Sequence, residues 1–333
     1  MPTIVYSPRY EVDIGLHVFP TRKYRLVRDR LVAEGRIQPS DIVDPPPATW
    51  DELALVHTAE YLDRIRTGAL SREEVAQLEL PWSAEMVDGF RVMVGGTIAA
   101  ARLAVAPNPG SRTPGVVCHL GGGLHHAFPN HGEGFCPFND VAVAVRVLQG
   151  AGVERIAIVD CDVHHGNGTA FIFNPRGAPP PRAAVAQAPD PDSRGLPLRE
   201  EDSVFTFSIH QQHNYPVWKP RGSLDVGLPD GAGDARYLSE LERALPVVMA
   251  SRAQCTFYLA GADPYEHDLL GGLRLTMSGL RRRDRMVIDA VRGAGVPLVV
   301  VLAGGYARNV EDTVAIHCAT VEEAIRASGR TPS

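Results

Sequence analysis

Two adjacent histidines, His125 and His126, follow three glycines in the stretch GGGLHHAF. Further on, DCDVHHGNG gathers Asp160, Asp162, His164, His165 and Asn167. Asp263 closes AGAD, Tyr306 closes AGGY, and Ser208 and His210 end FTFSIH. Asp162 and His164 flank a single residue. At the end of a strand, alternation puts both on one side, within reach of one cation. Asp263, from a distant segment, supplies a third ligand. Two carboxylates and an imidazole suit a hard-to-borderline divalent ion, with zinc or iron(II) the fitting choices. Three protein ligands leave positions open for water and substrate. Such an ion lowers the pKa of water from 15.7 to about 7 and polarises a carbonyl. His125 and His126 would then handle protons, and Tyr306 would donate a hydrogen bond to a developing oxyanion. The set describes metal-assisted amide hydrolysis.

These residues sit where five apolar runs of strand length end: Gly115–Leu120, Ile156–Asp162, Val204–His210, Cys255–Asp263 and Leu298–Tyr306. Helical segments separate them, at Val141–Gly150, Asp234–Arg252, Ser278–Gly293 and Asn309–Ala327. Short continuous apolar strands alternating with helices predict an α/β protein with a parallel sheet covered on both faces. In such sheets ligands bind outside the carboxyl ends of the strands. One strand ending in Asp or His is commonplace; several ending in groups suited to one site are not. The first third reads as mostly helical and loop-like. Thr49-x-x-Glu52 and Ser71-x-x-Glu74 are capping boxes that open short helices. A long helix is predicted over Glu85–Ala106, with Gly95 and Gly96 allowing close packing. Asn174–Glu201 breaks the rhythm. It carries seven of the 27 prolines and reads as a surface insertion.

Composition narrows the class. The chain has 333 residues, 44% hydrophobic and 22% charged, with a net charge of −6. That suits one large α/β domain or two ordinary ones and excludes wholesale disorder. A mildly acidic chain is not built to coat nucleic acid or anionic membrane. The five cysteines are scattered without a C-x-x-C, which argues against a disulfide scaffold and suits a reducing compartment. No apolar run approaches a membrane span, and the first residues lack an apolar signal core. The expectation is a cytoplasmic protein of undetermined oligomeric state. The glycines at 121–123 have neither the Lys-Ser/Thr of a P-loop nor dinucleotide-loop spacing, and no G-x-S-x-G elbow is present.

At these residues the chain resembles the histone deacetylase superfamily, which includes acetoin-utilisation proteins and acetylpolyamine amidohydrolases. The similar stretches are HLGGGLHHA, GFCPFNDVAVA, VDCDVHHGNGTA, FTFSIH, AGADPYEHD with GGLRLT, and LAGGYA. The overall look is nearest the class IV-like bacterial branch. The resemblance implies a single-domain, three-layer arginase/deacetylase fold over residues 1–327, with 174–201 inserted and 328–333 as a tail. It implies that Asp162, His164 and Asp263 bind zinc, that His126 is the general base, that Asp160 orients His125, and that Asn167 backs His126. Tyr306 would polarise the acyl carbonyl. Gly134, Phe135, Tyr215 and Gly304 would line the tunnel for an acyl-lysine stem. A structural potassium ion would take Asp160, Asp162, His164 and Ser208.

Three departures stand out. Many members have Asp at the Asn167 position, and a neutral amide stabilises an imidazolium less. Arg is common where this chain has Leu269. The 174–201 insertion is unusual. Acyl-lysine in a protein or peptide is the expected substrate. The same chemistry on a small acetylated amine such as a polyamine is the first alternative. A metal-bound but silent acyl-lysine-binding protein is the second. His165, His210 and His213 read as structural imidazoles, His57 and Tyr61 as core. The run 281–285 reads as a solvated helix face.

Overall fold

A computed structural model describes residues 3–106, 115–174 and 203–328. Among the described residues, eight strands form one sheet, parallel at every pairing: β1 (Thr3–Val5), β2 (Ile42–Val43), β3 (Val116–His119), β4 (Ile156–Asp160), β5 (Val204–Gln211), β6 (Leu224–Leu228), β7 (Cys255–Leu259) and β8 (Leu298–Val301). Their order is β2-β1-β3-β8-β7-β4-β5-β6. The five strands expected from apolar runs form its middle. β3, β4, β5, β7 and β8 are buried on both faces, as a sheet between helical layers requires.

Three strands depart from the sequence reading. β1 and β2 lie in the first third, which read as helix and loop, and β6 follows β5. All three extend the sheet at its edges and are too short or too exposed to show a pattern. Four of the five expected strands are also shorter at their carboxyl ends, while β5 runs one residue further than expected, to Gln211. Asp162, Asp263 and Tyr306 lie in the loops just beyond.

The helices are α1 (Lys23–Ala33), α2 (Trp50–Leu53), α3 (Ala59–Thr67), α4 (Arg72–Leu78), α5 (Ala84–Val105), α6 (Asp140–Gly150), α7 (Asn167–Phe173), α8 (Asp234–Met249), α9 (Met277–Gly293) and α10 (Val310–Ala327). Both capping boxes form, at the starts of α2 and α4. α5 packs on α6, while α1, α10, α9 and α8 pack in succession. Gly95 and Gly96 do permit close approach. A Cβ at Gly95 would lie 1.9 Å from the Pro46 carbonyl oxygen, and one at Gly96 2.2 Å from the Tyr10 hydroxyl. The insertion, beyond its first residue, and the tail beyond Ser328 lie outside the described residues.

The charged run on α9 corrects the sequence reading. Arg283 and Asp284 are fully buried. Arg283 binds Asp284 with Nη2 at 2.7 Å. It also donates through Nη1 to the carbonyls of Cys161 and Gly261, at the ends of β4 and β7. The free carbonyls of two neighbouring strands fix this face of α9, a demand that local sequence does not carry.

Candidate active site

The loops after β3, β4, β7 and β8 meet beyond the carboxyl edge of the sheet. The first is a glycine turn pinned by Asp140 at the start of α6. Its Oδ1 accepts the Leu124 N–H at 2.7 Å and its Oδ2 the Gly123 N–H at 3.0 Å. This fixes the backbone that carries His125 and His126, both of which are buried.

His125 Nδ1 lies 2.6 Å from Asp160 Oδ2. A carboxylate only accepts, so Nδ1 carries hydrogen. His126 Nδ1 lies 2.7 Å from Asn167 Oδ1. The two Nε2 atoms face each other at 3.1 Å, a distance that calls for one proton between them. The environments assign it. Burial alone would lower the His125 pKa, but the Asp160 and Asp162 carboxylates outweigh it and raise the value to about 9. Burial pushes His126 well below the ordinary imidazole range, helped by the charge of His125. These opposite shifts favour the shared proton on His125 and leave His126 the more readily neutral of the two.

Asp162, His164 and Asp263 converge on one point, with a ligand atom from each within 4.8 Å of the others. His164 Nδ1 is 3.0 Å from Asp162 Oδ1 and 3.4 Å from Asp263 Oδ2. The far oxygens are tied to backbone. Asp162 Oδ2 accepts the Gly304 N–H at 2.8 Å and Asp263 Oδ1 the Val163 N–H at 2.9 Å. Among the described residues the buried Asp263 Oδ2 has no hydrogen-bond partner, its 3.4 Å contact with His164 Nδ1 falling short of one. Burial, and then the neighbouring Asp162 charge, raise the Asp263 pKa to about 7. Two buried carboxylates and an imidazole around one point fit a divalent cation, and the orphaned oxygen is the kind of atom such an ion satisfies. Gly304 packs against this cradle. A Cβ there would lie 2.0 Å from Asp263 Oδ2 and 2.4 Å from Asp162 Oδ2.

Over the cradle opens a pocket lined by Phe19, Tyr24, His125, His126, Gly134, Phe135, Gly304 and Tyr306, among others. Phe135 holds φ at +65°, a left-handed conformation that costs a non-glycine residue about 1–2 kcal/mol. Two hydrogen bonds impose it: Gly134 and Phe135 donate to the carbonyls of Gln77 and Leu78 at 3.2 and 2.9 Å. The Phe135 ring stacks on Phe19 with centroids 6.1 Å apart and meets Tyr306 edge-on at 5.9 Å. Tyr215 closes the other side, its ring 5.0 Å from His126 and 6.2 Å from His164. Backbone bonds hold Tyr306: its N–H donates to Asp268 Oδ2 at 2.7 Å, and Leu269 N–H donates to its carbonyl at 3.1 Å. The Leu269 side chain is itself exposed, so replacing the commoner Arg leaves this clamp intact. Burial, followed by the Asp162 and Asp263 charges, raises the Tyr306 pKa well above the usual phenol value.

The sequence-derived residues thus come together, with Ser208 at the margin. Ser208 stands opposite Asp160 in register, and its hydroxyl pairs with His210 Nδ1 at 2.9 Å. Four participants had no sequence signal. Phe19 and Tyr24 come from around α1. Glu133 bonds Asn167. Lys23, fully buried, donates to the Ala303 carbonyl at 2.8 Å. Nothing in the local pattern around α1 or before Gly134 separates these from ordinary core and loop residues.

The Histone deacetylase domain model matches residues 17–321. An uncharacterised protein of Picosynechococcus is 39% identical over 319 residues, covering 94% of this chain and 95% of the relative. The histone deacetylase-like amidohydrolase of Pseudomonas aeruginosa is 31% identical, covering 86% and 71%. The acetoin utilization protein AcuC of Staphylococcus aureus is 35% identical, covering 79% and 66%. The chain belongs to the histone deacetylase superfamily. Among solved structures, a histone deacetylase homologue complexed with SAHA superposes with a TM-score of 0.75 at 23% identity, covering 99% of this chain and 84% of that one. The HDA15 HD domain superposes at 0.73 and 24% identity, covering 100% and 91%. The fold is the arginase/deacetylase fold expected from sequence.

Proposed function

We propose that this protein is a zinc-dependent amidohydrolase that removes acyl groups, acetyl foremost, from the Nε of lysine in proteins or peptides. One observation carries the reading: Asp162, His164 and Asp263 meet beneath an aromatic-walled pocket with paired imidazoles and a tyrosine beside them. Bound there, zinc, or iron(II) in second place, would polarise the acyl carbonyl and lower the pKa of a water.

The chain's own groups supply the rest. Phe135, Tyr215 and Gly134 would flank the lysine stem and exclude bulk water. Tyr306, kept protonated, would donate to the carbonyl oxygen as negative charge develops. His126, neutral with its Nδ1–H on Asn167, would take the proton of the attacking water at Nε2. It would then hand that proton to the departing amine. His125, charged and anchored by Asp160, would stabilise the oxyanion electrostatically. The products are a carboxylate and free lysine. A potassium ion at Asp160, Asp162, His164 and Ser208 is part of the proposal, supported by the register that sets Ser208 beside Asp160. A cytoplasmic location is supported by five unpaired thiols and by the lack, among the described residues, of a helix able to cross a membrane.

A second reading, a small acetylated amine as substrate, is favoured by Glu79. Glu79 lines the outer pocket together with Phe135, Tyr215 and Tyr306, where its charge would attract a second ammonium. Comparing kcat/KM on an acetyl-lysine peptide and on acetylputrescine with metal-loaded protein separates the two. Peptide preference supports the first reading, and diamine preference the second. Binding of acyl peptide without any carboxylate release would leave a silent acyl-lysine-binding protein.

A further inference from the structure

Asn167 backs the second histidine with an amide, its Oδ1 2.7 Å from His126 Nδ1. An amide is ambiguous. Its two ends have the same shape but opposite hydrogen-bonding roles, so Asn167 could face His126 with oxygen or with nitrogen. The choice must match the other side of the ring, where His126 Nε2 faces His125 Nε2 at 3.1 Å.

The far end of the amide resolves the ambiguity. Asn167 Nδ2 donates to Glu133 Oε1 at 2.6 Å. Turning the amide over would press its oxygen against a carboxylate that can only accept. The carboxylate is itself anchored: its Oε2 accepts from Gln77 Nε2 at 3.0 Å and lies 3.4 Å from His131 Nε2. The Glu133 side chain is only 13% exposed, and Asn167 only 1%. Glu133 comes from the loop between β3 and α6, and Asn167 opens α7, so two separate elements build this contact.

We propose that Glu133 is a positioning residue that locks the Asn167 amide with its oxygen toward His126, holding His126 as the Nδ1–H tautomer with Nε2 as the lone-pair nitrogen that faces His125. The inference rests on the deacylase reading for its kinetic consequence, though not for its structural content. It makes His126, Asn167 and Glu133 a relay in which negative charge stands one amide away from the imidazole. The amide alone is not a damaged element, because the charge it lacks stands directly behind it.

The test compares E133Q, N167D and the double variant E133Q/N167D. A glutamine both donates and accepts, so E133Q no longer dictates the orientation of the Asn167 amide. In metal-free protein labelled with 15N-histidine, the His126 signal, assigned by its loss in H126A, should report one Nδ1–H tautomer in the parent chain. In E133Q it should report a mixture. With metal-loaded protein and an acetyl-lysine peptide, E133Q should lose about tenfold in kcat with KM unchanged. N167D alone should also lose activity, because it sets two carboxylates in contact. The double variant, with its carboxylate directly on His126, should recover to within about threefold of the parent. An unchanged tautomer in E133Q, or losses that simply multiply in the double variant, would overturn the proposal. If the parent releases no carboxylate, the deacylase reading fails. The tautomer measurement then decides the role of Glu133 alone, a mixture in E133Q upholding it and a single form rejecting it.

Discussion

Arg283 Nη1 donates to the carbonyl oxygen of Gly261 at 2.6 Å. The same nitrogen reaches the carbonyl of Cys161 at 3.2 Å. One guanidinium thereby ties the chain just before Asp162 to the chain just before Asp263, from behind the sheet edge. Asp284 neutralises it and also accepts from the hydroxyls of Tyr258 and Thr320. R283M leaves Asp284 buried without its partner and two carbonyls without donors. It should cost about 3–5 kcal/mol in urea unfolding, and R283M/D284N should recover part of that loss. A cost below about 1 kcal/mol would show that the cluster does not brace the ligand loops.

Metal affinity should depend on Gly304 although Gly304 supplies no ligand. G304A keeps all three candidate ligands but places a methyl 2.0 Å from Asp263 Oδ2. Zinc affinity in equilibrium dialysis should fall about 10–100-fold, the usual cost of disturbing groups that orient ligands. D263A, which removes a ligand, should leave the purified protein without stoichiometric metal. Stoichiometric zinc at parental affinity in D263A would break the ligand assignment, and in G304A it would show that Gly304 does not shape the cradle.

Tyr306 makes no contribution to the cradle, so its loss should separate binding of metal from turnover. Y306F should retain zinc and lose about 10²–10³ in kcat, as removal of an oxyanion donor does. Equal turnover in parent and variant would take Tyr306 out of the mechanism.

Acid should weaken the fold through Glu323. Its side chain is fully buried beneath Arg281, Arg285 and Arg326. Burial alone would raise its pKa, but hydrogen bonds from Arg285, Arg281 and Arg326 reverse this and lower it from 4.5 to about 2. A folded-state value below the unfolded one gives stability that is complete above pH 4.5 and fades as pH falls toward about 2. E323Q should therefore be less stable than the parent at pH 7, with the gap closing between pH 4 and pH 2 in thermal melts. A gap constant across that range would contradict the assignment.

The central strands were legible because each is a continuous apolar run. β1, at three residues, and β2, at two, carry no period, and only pairing with distant chain makes them strands. The meeting of Asp162 and His164 with the two histidines was legible because short local motifs contain these residues. Arg283 was misread because a row of arginines on a helix says nothing about which one meets buried carbonyls. Lys23 was missed for a similar reason, since its partner Ala303 lies 280 residues away in the chain. Tyr215, placed only by family resemblance, does reach both His126 and His164.

Carboxylate release from an acetyl-lysine peptide, followed while zinc is added back to chelator-stripped protein, tests the whole account most directly. Activity should be absent at the start, rise linearly, and level off at one zinc per chain. Full hydrolysis by the stripped protein, or none at one bound zinc per chain, would contradict it.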